Sequence, residues 1–206
     1  MNILYTDPDI IVANKPAGIS SQHTDDNSGL PDILSRELNT EIYTVHRLDV
    51  QTNGLIVYAK NRTSAAVLSK EITDGVFEKE YTAKVHGEPT EKSGTFTDLL
   101  FKDSKKNKSY VVKRERKGVK KAVLNYETLS TQETPLGRIS TVKIKLVTGR
   151  THQIRVQFAS RKMPLVGDGK YGAADNAPAL ALTCTRLAFT HPATGEKIEF
   201  SLSDNT

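Results

Sequence analysis

The segment His46–Ala59 reads HRLDVQTNGLIVYA and predicts more about the fold than any other stretch. Its second half, Leu55–Ala59, is the longest unbroken apolar run, and a run of this length predicts a buried strand. A membrane span would need roughly 20 apolar residues. An acid, Asp49, and a histidine, His46, precede this strand, and an ionised carboxylate beside buried surface needs a cation or several N–H donors. The segment is therefore the first candidate site.

The rest of the chain predicts many strands and a few helices. Strand Ile3–Tyr5 pairs with the next one across a Thr-Asp-Pro-Asp turn. The predicted helices are Leu30–Leu38, Asn61–Ile72 and Thr151–Ser160. The other predicted strands are Asp9–Ala13, Gly54–Lys60, Glu80–His86, Lys108–Lys113, Ala122–Leu129, Ile139–Val147, Ala179–Cys184, Leu187–Thr190 and Lys197–Ser201. This pattern indicates an α+β protein, a mainly antiparallel mixed β-sheet with a few flanking helices. Residues 1–206 are predicted to form a single domain.

A second polar cluster, Gly149–Arg155, opens the third predicted helix with the letters GRTHQIR. On that helix Arg155 would project from an element that also drives apolar side chains inward. A partly buried arginine requires a carboxylate, and Asp49 is a candidate. Other interpretations stay open: Asp49 as a turn residue, Arg155 at a solvated helix edge, and His46 as a structural hydrogen bonder.

The basic excess is concentrated in one segment. The chain carries a formal net charge of +5, yet 102–121 alone holds ten Lys or Arg against two acids. Such a stripe can bind a polyanion by releasing condensed counterions. A solvated lysine-rich hairpin that only promotes solubility would give the same composition. Charge alone does not separate these two interpretations.

Several classes of site are excluded by the composition and by missing motifs. The single cysteine, Cys184, rules out an internal disulfide and a multi-cysteine metal site, and the five histidines lack zinc-ligand spacing. No G-x-G-x-x-G, G-x-x-x-x-G-K or G-x-S-x-G motif occurs. We therefore expect no metal, no nucleotide cofactor and no membrane partner. The N-terminus lacks the charge and apolar pattern of a secretory signal, so a cytoplasmic location is expected.

The segment His46-Arg47-Leu48-Asp49, followed by Thr52 and Gly54, resembles the active-site motif of the RluA family of RNA pseudouridine synthases. Further segments resemble that family in the same order: Asn14–Gly18, Lys79–Gly87, Thr148–Val156, Pro164–Asp168, Tyr171-Gly172 and Leu187–Glu196. Three positions depart from the family pattern, with Asn53 in place of Ser, Gln157 in place of His and Met163 in place of Gly. Many relatives also carry an S4 RNA-binding domain, and none is expected here because Ile3 already begins the catalytic hairpin.

The resemblance implies the pseudouridine synthase catalytic fold with a central RNA-binding cleft. It implies an isomerase that converts uridine in ribosomal or transfer RNA to pseudouridine without a cofactor. Asp49 would be the essential carboxylate, attacking C1′ or abstracting the 2′ hydrogen, and Arg155 would keep it ionised. Tyr81 would stack on the uracil and accept the C5 proton. Ile154 would pack on the other side of the base.

The same motifs imply the substrate contacts. Arg47 would enter the space left by a flipped-out uridine, with a surface phosphate contact as its alternative. His46 and Leu48 are assigned to substrate binding with it. The expected RNA backbone contacts are Lys105, Lys106, Lys108, Lys113, Arg114, Arg116 and Lys117. A monomer is expected. The alternative function is a catalytically silent RNA-binding or ribosome-assembly factor on the same fold.

Overall fold

The computed structural model describes residues 2–202, which divide into two compact units. The first unit holds the chain up to Lys79 and again from Thr183, and the second holds Glu80–Leu182. In chain order the elements are β1 (Asn2–Thr6), β2 (Ile10–Lys15), α1 (Leu30–Leu38), β3 (Tyr43–Thr44), β4 (Asn53–Ala59), α2 (Arg62–Asp74), β5 (Glu78–His86), β6 (Ser93–Asp103), β7 (Lys108–Val112), β8 (Val119–Thr134), β9 (Gly137–Leu146), α3 (Gln153–Ala159), β10 (Leu182–Thr190) and β11 (Lys197–Ser201). The prediction of one domain over 1–206 stays a prediction.

The first unit is built on a mixed sheet with the order β1-β2-β4-β10. Strand β2 pairs antiparallel with β1 and β4, whereas β4 and β10 run parallel. The apolar run predicted as a buried strand is the interior of β4, and Leu55–Ala59 is fully buried. Helix α2 begins after Asn61, whose side chain accepts a hydrogen bond from the Ser64 amide at 2.8 Å. Leu68 of that helix is fully buried in this unit.

The glycine of the His46–Gly54 motif is required by the packing of β4 on β10. Gly54 has φ +109, and a Cβ there would lie 2.3 Å from the carbonyl oxygen of Cys184. A side chain at this position would therefore force the two strands apart. The neighbouring Asn53, one of the departures from the family pattern, accepts a hydrogen bond from the Thr183 hydroxyl at 2.9 Å. Its side chain thus stabilises the same parallel pairing.

The second unit contains an antiparallel sheet with the order β5-β9-β8-β6-β7. Helix α3 contributes Phe158, whose ring packs edge-on against Phe96 of β6 at 5.0 Å between centroids. The side chain of Gln157 is fully buried, and its Nε2 donates to Asp98 at 2.7 Å. Its Oε1 has no hydrogen-bond partner among residues 2–202. This second departure from the family pattern therefore leaves one buried acceptor unsatisfied.

The predicted elements differ most from the structure at three places. Strand β6 was not predicted, because only Phe96 and Leu100 are buried along it and the apolar alternation is weak. The predicted strands Ala179–Cys184 and Leu187–Thr190 are one strand, β10, which begins only at Leu182. In its middle Arg186 forms ion pairs with Glu78 and Glu199. Helix α3 begins two residues later than predicted, since His152 has φ +52 and is the N-cap.

Candidate active site

The turn that carries Asp49 is held in place by the segment Asn14–Gly18, which carries part of the family resemblance. Lys15 is fully buried, and its Nζ donates to the carbonyl oxygens of Pro16 (2.8 Å), Ile19 (2.9 Å) and Val50 (3.1 Å). The Gly18 amide donates to the same Val50 oxygen at 2.8 Å. These bonds fix the residue that follows Asp49. The three donors of the Lys15 ammonium thus explain the lysine at this position, which the sequence alone did not connect with Asp49.

The residue that precedes Asp49 is fixed by reciprocal hydrogen bonds. The Ser21 hydroxyl donates to the Leu48 carbonyl at 2.8 Å and accepts from the Leu48 amide at 3.1 Å. The Thr52 amide donates to the Asp49 carbonyl at 3.0 Å and closes the turn. None of these bonds uses the Asp49 carboxylate. The backbone therefore presents a half-buried carboxylate from a rigid turn.

Along the motif His46–Asp49, side chains alternate between buried and more exposed positions. His46 and Leu48 are buried, Arg47 is exposed, and Asp49 lies between these extremes. An exposed guanidinium two residues before Asp49 is compatible both with entry into the space left by a flipped uridine and with a surface phosphate contact, and the role of Arg47 stays a prediction. The buried positions of His46 and Leu48 make them supports of the turn, and their assigned substrate contacts stay a prediction.

The imidazole of His46 is uncharged. Its Nε2 accepts a hydrogen bond from the Val57 amide at 3.1 Å, so Nδ1 carries the hydrogen. Burial lowers the pKa of His46 well below 6.5, and the charge of Lys79 acts in the same direction. The Nδ1 hydrogen has no partner within the described chain, residues 2–202. His46 is thus a structural hydrogen bonder to β4 whose second ring nitrogen is a buried donor.

The buried Lys15 ammonium makes stability depend on pH. Burial lowers the pKa of Lys15 from 10.5 to about 8, while the negative charge of Asp49 opposes the shift. As pH rises, the folded protein therefore releases this proton at a lower pH than the unfolded chain does. The buried charge lowers the free energy of unfolding by its full amount below pH 8, and this loss decreases as pH rises toward 10.5. Wild-type protein should gain stability relative to Lys15→Met across that window, by up to about 1.4 kcal/mol per pH unit.

Urea unfolding of both proteins at several pH values measures this difference. Lys70→Met, which removes an exposed lysine from α2, is the control and should show no such rise. A difference between wild type and Lys15→Met that stays constant from pH 8 to 10.5 would show that the ammonium is not desolvated in the folded protein.

Tyr81 and Ile154 are both buried in the second unit. Tyr81 lies on β5 opposite Ile144 of β9, and Ala83 and Val85 follow it on the same buried face, as predicted. Ile154 lies in the first turn of α3 and is 4% exposed. Their contacts with a uracil stay a prediction.

Arg155 is not at a solvated helix edge, because it is only 6% exposed. Its Nε and Nη2 donate to the two carboxylate oxygens of Asp168 at 2.7 and 2.8 Å. Its Cζ lies 5.1 Å from the centroid of the Tyr171 ring. Asp168 and Tyr171 belong to segments that carry the family resemblance, but neither is assigned a role from the sequence. The parallel two-point contact locks the plane of the guanidinium.

The structure separates the predicted RNA-contacting cations into two groups. Lys108 is half-buried, and its Nζ donates to the Lys170 carbonyl and lies 5.0 Å from the Tyr171 ring centroid. Arg116 stacks over Phe101 with its Cζ 4.7 Å from the ring centroid. The remaining predicted contacts are exposed: Lys105, Lys106, Lys113, Arg114 and Lys117. Arg116 is exposed as well, and with it these five predicted contacts are called the exposed cations of the basic hairpin, the segment 102–121 around β7.

Two further properties of the described residues bear on the class of site. In the part of the chain from 2 to 202, no three His, Cys, Asp or Glu side chains are grouped to hold a metal ion. No helix within that range is both long and apolar enough to cross a membrane.

Comparison with solved structures identifies the fold. The human RNA Pseudouridylate Synthase Domain Containing 1 protein matches 98% of this chain and 83% of its own, with a TM-score of 0.83 and 23% identity. The human RNA Pseudouridylate Synthase Domain Containing 4 protein matches 98% of this chain and 88% of its own, with a TM-score of 0.78 and 24% identity. The predicted α+β pseudouridine synthase fold is confirmed.

Comparison with protein families and with individual sequences identifies the relationship. The RNA pseudouridylate synthase family model matches residues 9–160. The uncharacterized RNA pseudouridine synthase YhcT of Bacillus subtilis is 33% identical over 96% of this chain and 67% of its own length. Ribosomal large subunit pseudouridine synthase D of Borreliella burgdorferi is 34% identical over 84% of this chain and 55% of its own length. The predicted RluA-type resemblance is confirmed, and the chain belongs to the RNA pseudouridylate synthase family of isomerases.

Proposed function

We propose that this chain converts specific uridines of ribosomal or transfer RNA to pseudouridine, with Asp49 as the catalytic carboxylate. The observation that carries the proposal is the family match over residues 9–160, which includes the motif His46–Asp49. The rigid turn around Asp49 supports it, since catalysis requires a reacting group held in one geometry. Asp49 is half-buried, which suits a carboxylate that must be shielded from bulk water and still meet an RNA substrate.

The reaction is an isomerisation whose atoms balance within the uridine. The N1–C1′ bond breaks, the uracil turns, a C5–C1′ bond forms, and the proton on C5 leaves while N1 gains one. No external electrons are required. Asp49 acts in its ionised form, either by attack at C1′ or by abstraction of the 2′ hydrogen. Both routes need the same carboxylate and stay open.

The roles proposed for Arg155, Tyr81 and Ile154 follow from the family motifs. Arg155 favours the ionised form of Asp49, and its fixed orientation on Asp168 supports a role in electrostatic positioning rather than proton transfer. Tyr81 stacks on the uracil and accepts the C5 proton. Ile154 contributes an apolar surface to the other side of the base, so that the detached uracil turns without leaving.

The target uridine must leave its stem or loop before reaction. Flipping a nucleotide costs a few kcal/mol, and a side chain that occupies the vacated space offsets part of that cost. The exposed guanidinium of Arg47 can hydrogen-bond and stack in such a space. Arg47 is therefore proposed as the residue that replaces the flipped base.

The exposed cations of the basic hairpin are proposed to bind RNA phosphates. Reversal of three of them in Lys105→Glu/Lys106→Glu/Lys117→Glu should weaken RNA binding, because condensed counterions are no longer displaced. The slope of log affinity against log salt should become shallower by about 0.7 to 0.9 for each phosphate that the variant no longer neutralises. Fluorescence anisotropy with labelled RNA over a salt series measures both quantities.

The matched control is Lys70→Glu/Lys92→Glu/Lys197→Glu, which reverses three exposed lysines outside the hairpin. It changes the net charge equally, so its effect reports the long-range field alone. Equal RNA affinity and equal salt slopes for the two triple variants would show that the basic hairpin does not contact the RNA.

The substrate is identified by mapping pseudouridine in total RNA from cells with and without the gene. Carbodiimide labelling with primer extension is required, because pseudouridine and uridine have the same mass. We expect one or a few sites in ribosomal or transfer RNA to disappear with the gene. Unchanged sites in both RNA classes, together with tight RNA binding, would instead favour the catalytically silent RNA-binding or ribosome-assembly factor.

A further inference from the structure

The side chain of Tyr171 connects the basic hairpin with Arg155. Its hydroxyl accepts a hydrogen bond from the Ser109 amide at 2.8 Å and lies 2.9 Å from Nδ1 of His152. The face of its ring lies under the Arg155 guanidinium, with 5.1 Å between Cζ and the ring centroid. One side chain thus contacts a strand of the hairpin, the N-cap of α3 and the arginine that α3 carries.

The hairpin side of this connection is made by two neighbouring residues of β7. Strand β7 ends the strand order of its unit, and its Ser109 amide points outward to Tyr171 instead of pairing with another strand. The Ser109 hydroxyl donates to the Thr151 carbonyl at 2.7 Å. Lys108 places its ammonium 5.0 Å from the Tyr171 ring centroid. The hairpin is therefore attached to the turn before α3 as well as to Tyr171.

The arginine side is equally constrained. Asp168 and Tyr171 lie in one tight turn, because the Tyr171 amide donates to the Asp168 carbonyl at 3.0 Å. This turn holds the Arg155 guanidinium by the carboxylate at its edge and by the aromatic ring at its face. A displacement of the turn would therefore move the guanidinium.

We propose that Tyr171 is a positioning residue that couples RNA binding on the basic hairpin to the orientation of Arg155. The inference rests on the proposed function, in which the hairpin binds phosphates and Arg155 acts in the reaction. Lys105 and Lys106 lie in the turn that leads into β7, so phosphates bound there restrain the strand that contacts Tyr171. The bound RNA thereby stabilises the geometry in which Arg155 is effective.

A double-mutant cycle tests the coupling. The four proteins are wild type, Lys105→Ala/Lys106→Ala, Tyr171→Phe and the combination, and each is assayed for RNA affinity and for single-turnover rate at saturating RNA. In the wild-type background, we expect the lysine pair to lower the saturating rate about five- to tenfold as well as the affinity. In the Tyr171→Phe background, we expect the rate to be low already and the lysine pair to lower the affinity alone.

Tyr126→Phe is the matched control, since it removes a largely buried hydroxyl of the same unit that donates to the Glu91 carbonyl at 3.3 Å. In that background the lysine pair should lower the rate as it does in wild type. Thermal unfolding checks that Tyr171→Phe is folded. If it is not, Tyr171→His replaces it in the cycle, because the shorter imidazole keeps a flat ring next to Arg155 and withdraws the hydrogen-bonding atom from the Ser109 amide.

The coupling is refuted if the lysine pair lowers only the affinity of wild type, or lowers the rate by the same factor with and without the Tyr171 hydroxyl. Failure of the proposed function is a separate result. It appears as absence of product from wild-type protein, whereas the cycle fails only in a protein that makes product.

Discussion

Asp49→Asn protein should make no detectable pseudouridine while it still binds RNA. The amide keeps the size of the carboxylate but can neither attack C1′ nor remove the 2′ hydrogen, so a loss of about a thousandfold or more is expected. The fold should survive, because the bonds that hold the turn come from the backbone of Leu48, Asp49 and Val50. Tritium release from RNA containing 5-tritiated uridine measures the reaction.

The control for Asp49→Asn is Asp25→Asn, which removes an exposed carboxylate in the same unit and should leave the rate unchanged. RNA affinity and thermal unfolding of both variants should stay close to wild type. Product formed at a normal rate by Asp49→Asn protein would show that another group performs the chemistry.

Loss of the Asp168 carboxylate should destabilise the protein strongly. Arg155 and Asp168 are 6% and 1% exposed, and Asp168→Ala removes the two-point partner of a buried guanidinium. Breaking a buried ion pair from one side costs about 3 to 5 kcal/mol. Since domains are stable by only about 5 to 15 kcal/mol, urea denaturation should show a large decrease in the free energy of unfolding.

The double variant Arg155→Met/Asp168→Leu separates stability from activity. Replacement of both charges by apolar side chains of similar size leaves no buried guanidinium deprived of its Asp168 partner, so most of the lost stability should return. Pseudouridine formation should not return, because the proposed reaction needs the guanidinium. A decrease of less than about 1 kcal/mol for Asp168→Ala would mean that water or another group replaces the carboxylate at no cost.

The elements with strong local signals were predicted from the sequence. Helix α1 has the predicted bounds Leu30–Leu38 with Pro31 in its first turn, and Asn61 is the N-cap of α2. Strand β11 also has its predicted bounds. Elements whose stability comes from partners distant in sequence were missed, namely β6 with its polar composition and the continuous β10 with Arg186 in its middle.

Around the candidate site too, features set by local sequence were predicted, and features set by distant partners were not. Local patterns predicted the buried strand that follows Asp49, and left a turn position of Asp49 as one of several interpretations. The groups that fix this turn lie far away in the chain, at a sequence separation of 27 from Ser21 to Leu48 and of 35 from Lys15 to Val50. The contact between Ser109 and Tyr171 spans 62 residues. No periodicity or spacing rule predicts such contacts, because they arise only when the sheet has formed.

The most direct test of the account uses purified wild-type protein and unmodified ribosomal and transfer RNA transcripts labelled with 5-tritiated uridine. We predict that tritium is released from at least one of these RNAs, up to the amount held by one or a few uridines. Stable RNA binding without any tritium release, from either class of RNA, would contradict the proposal that the chain isomerises uridine through Asp49.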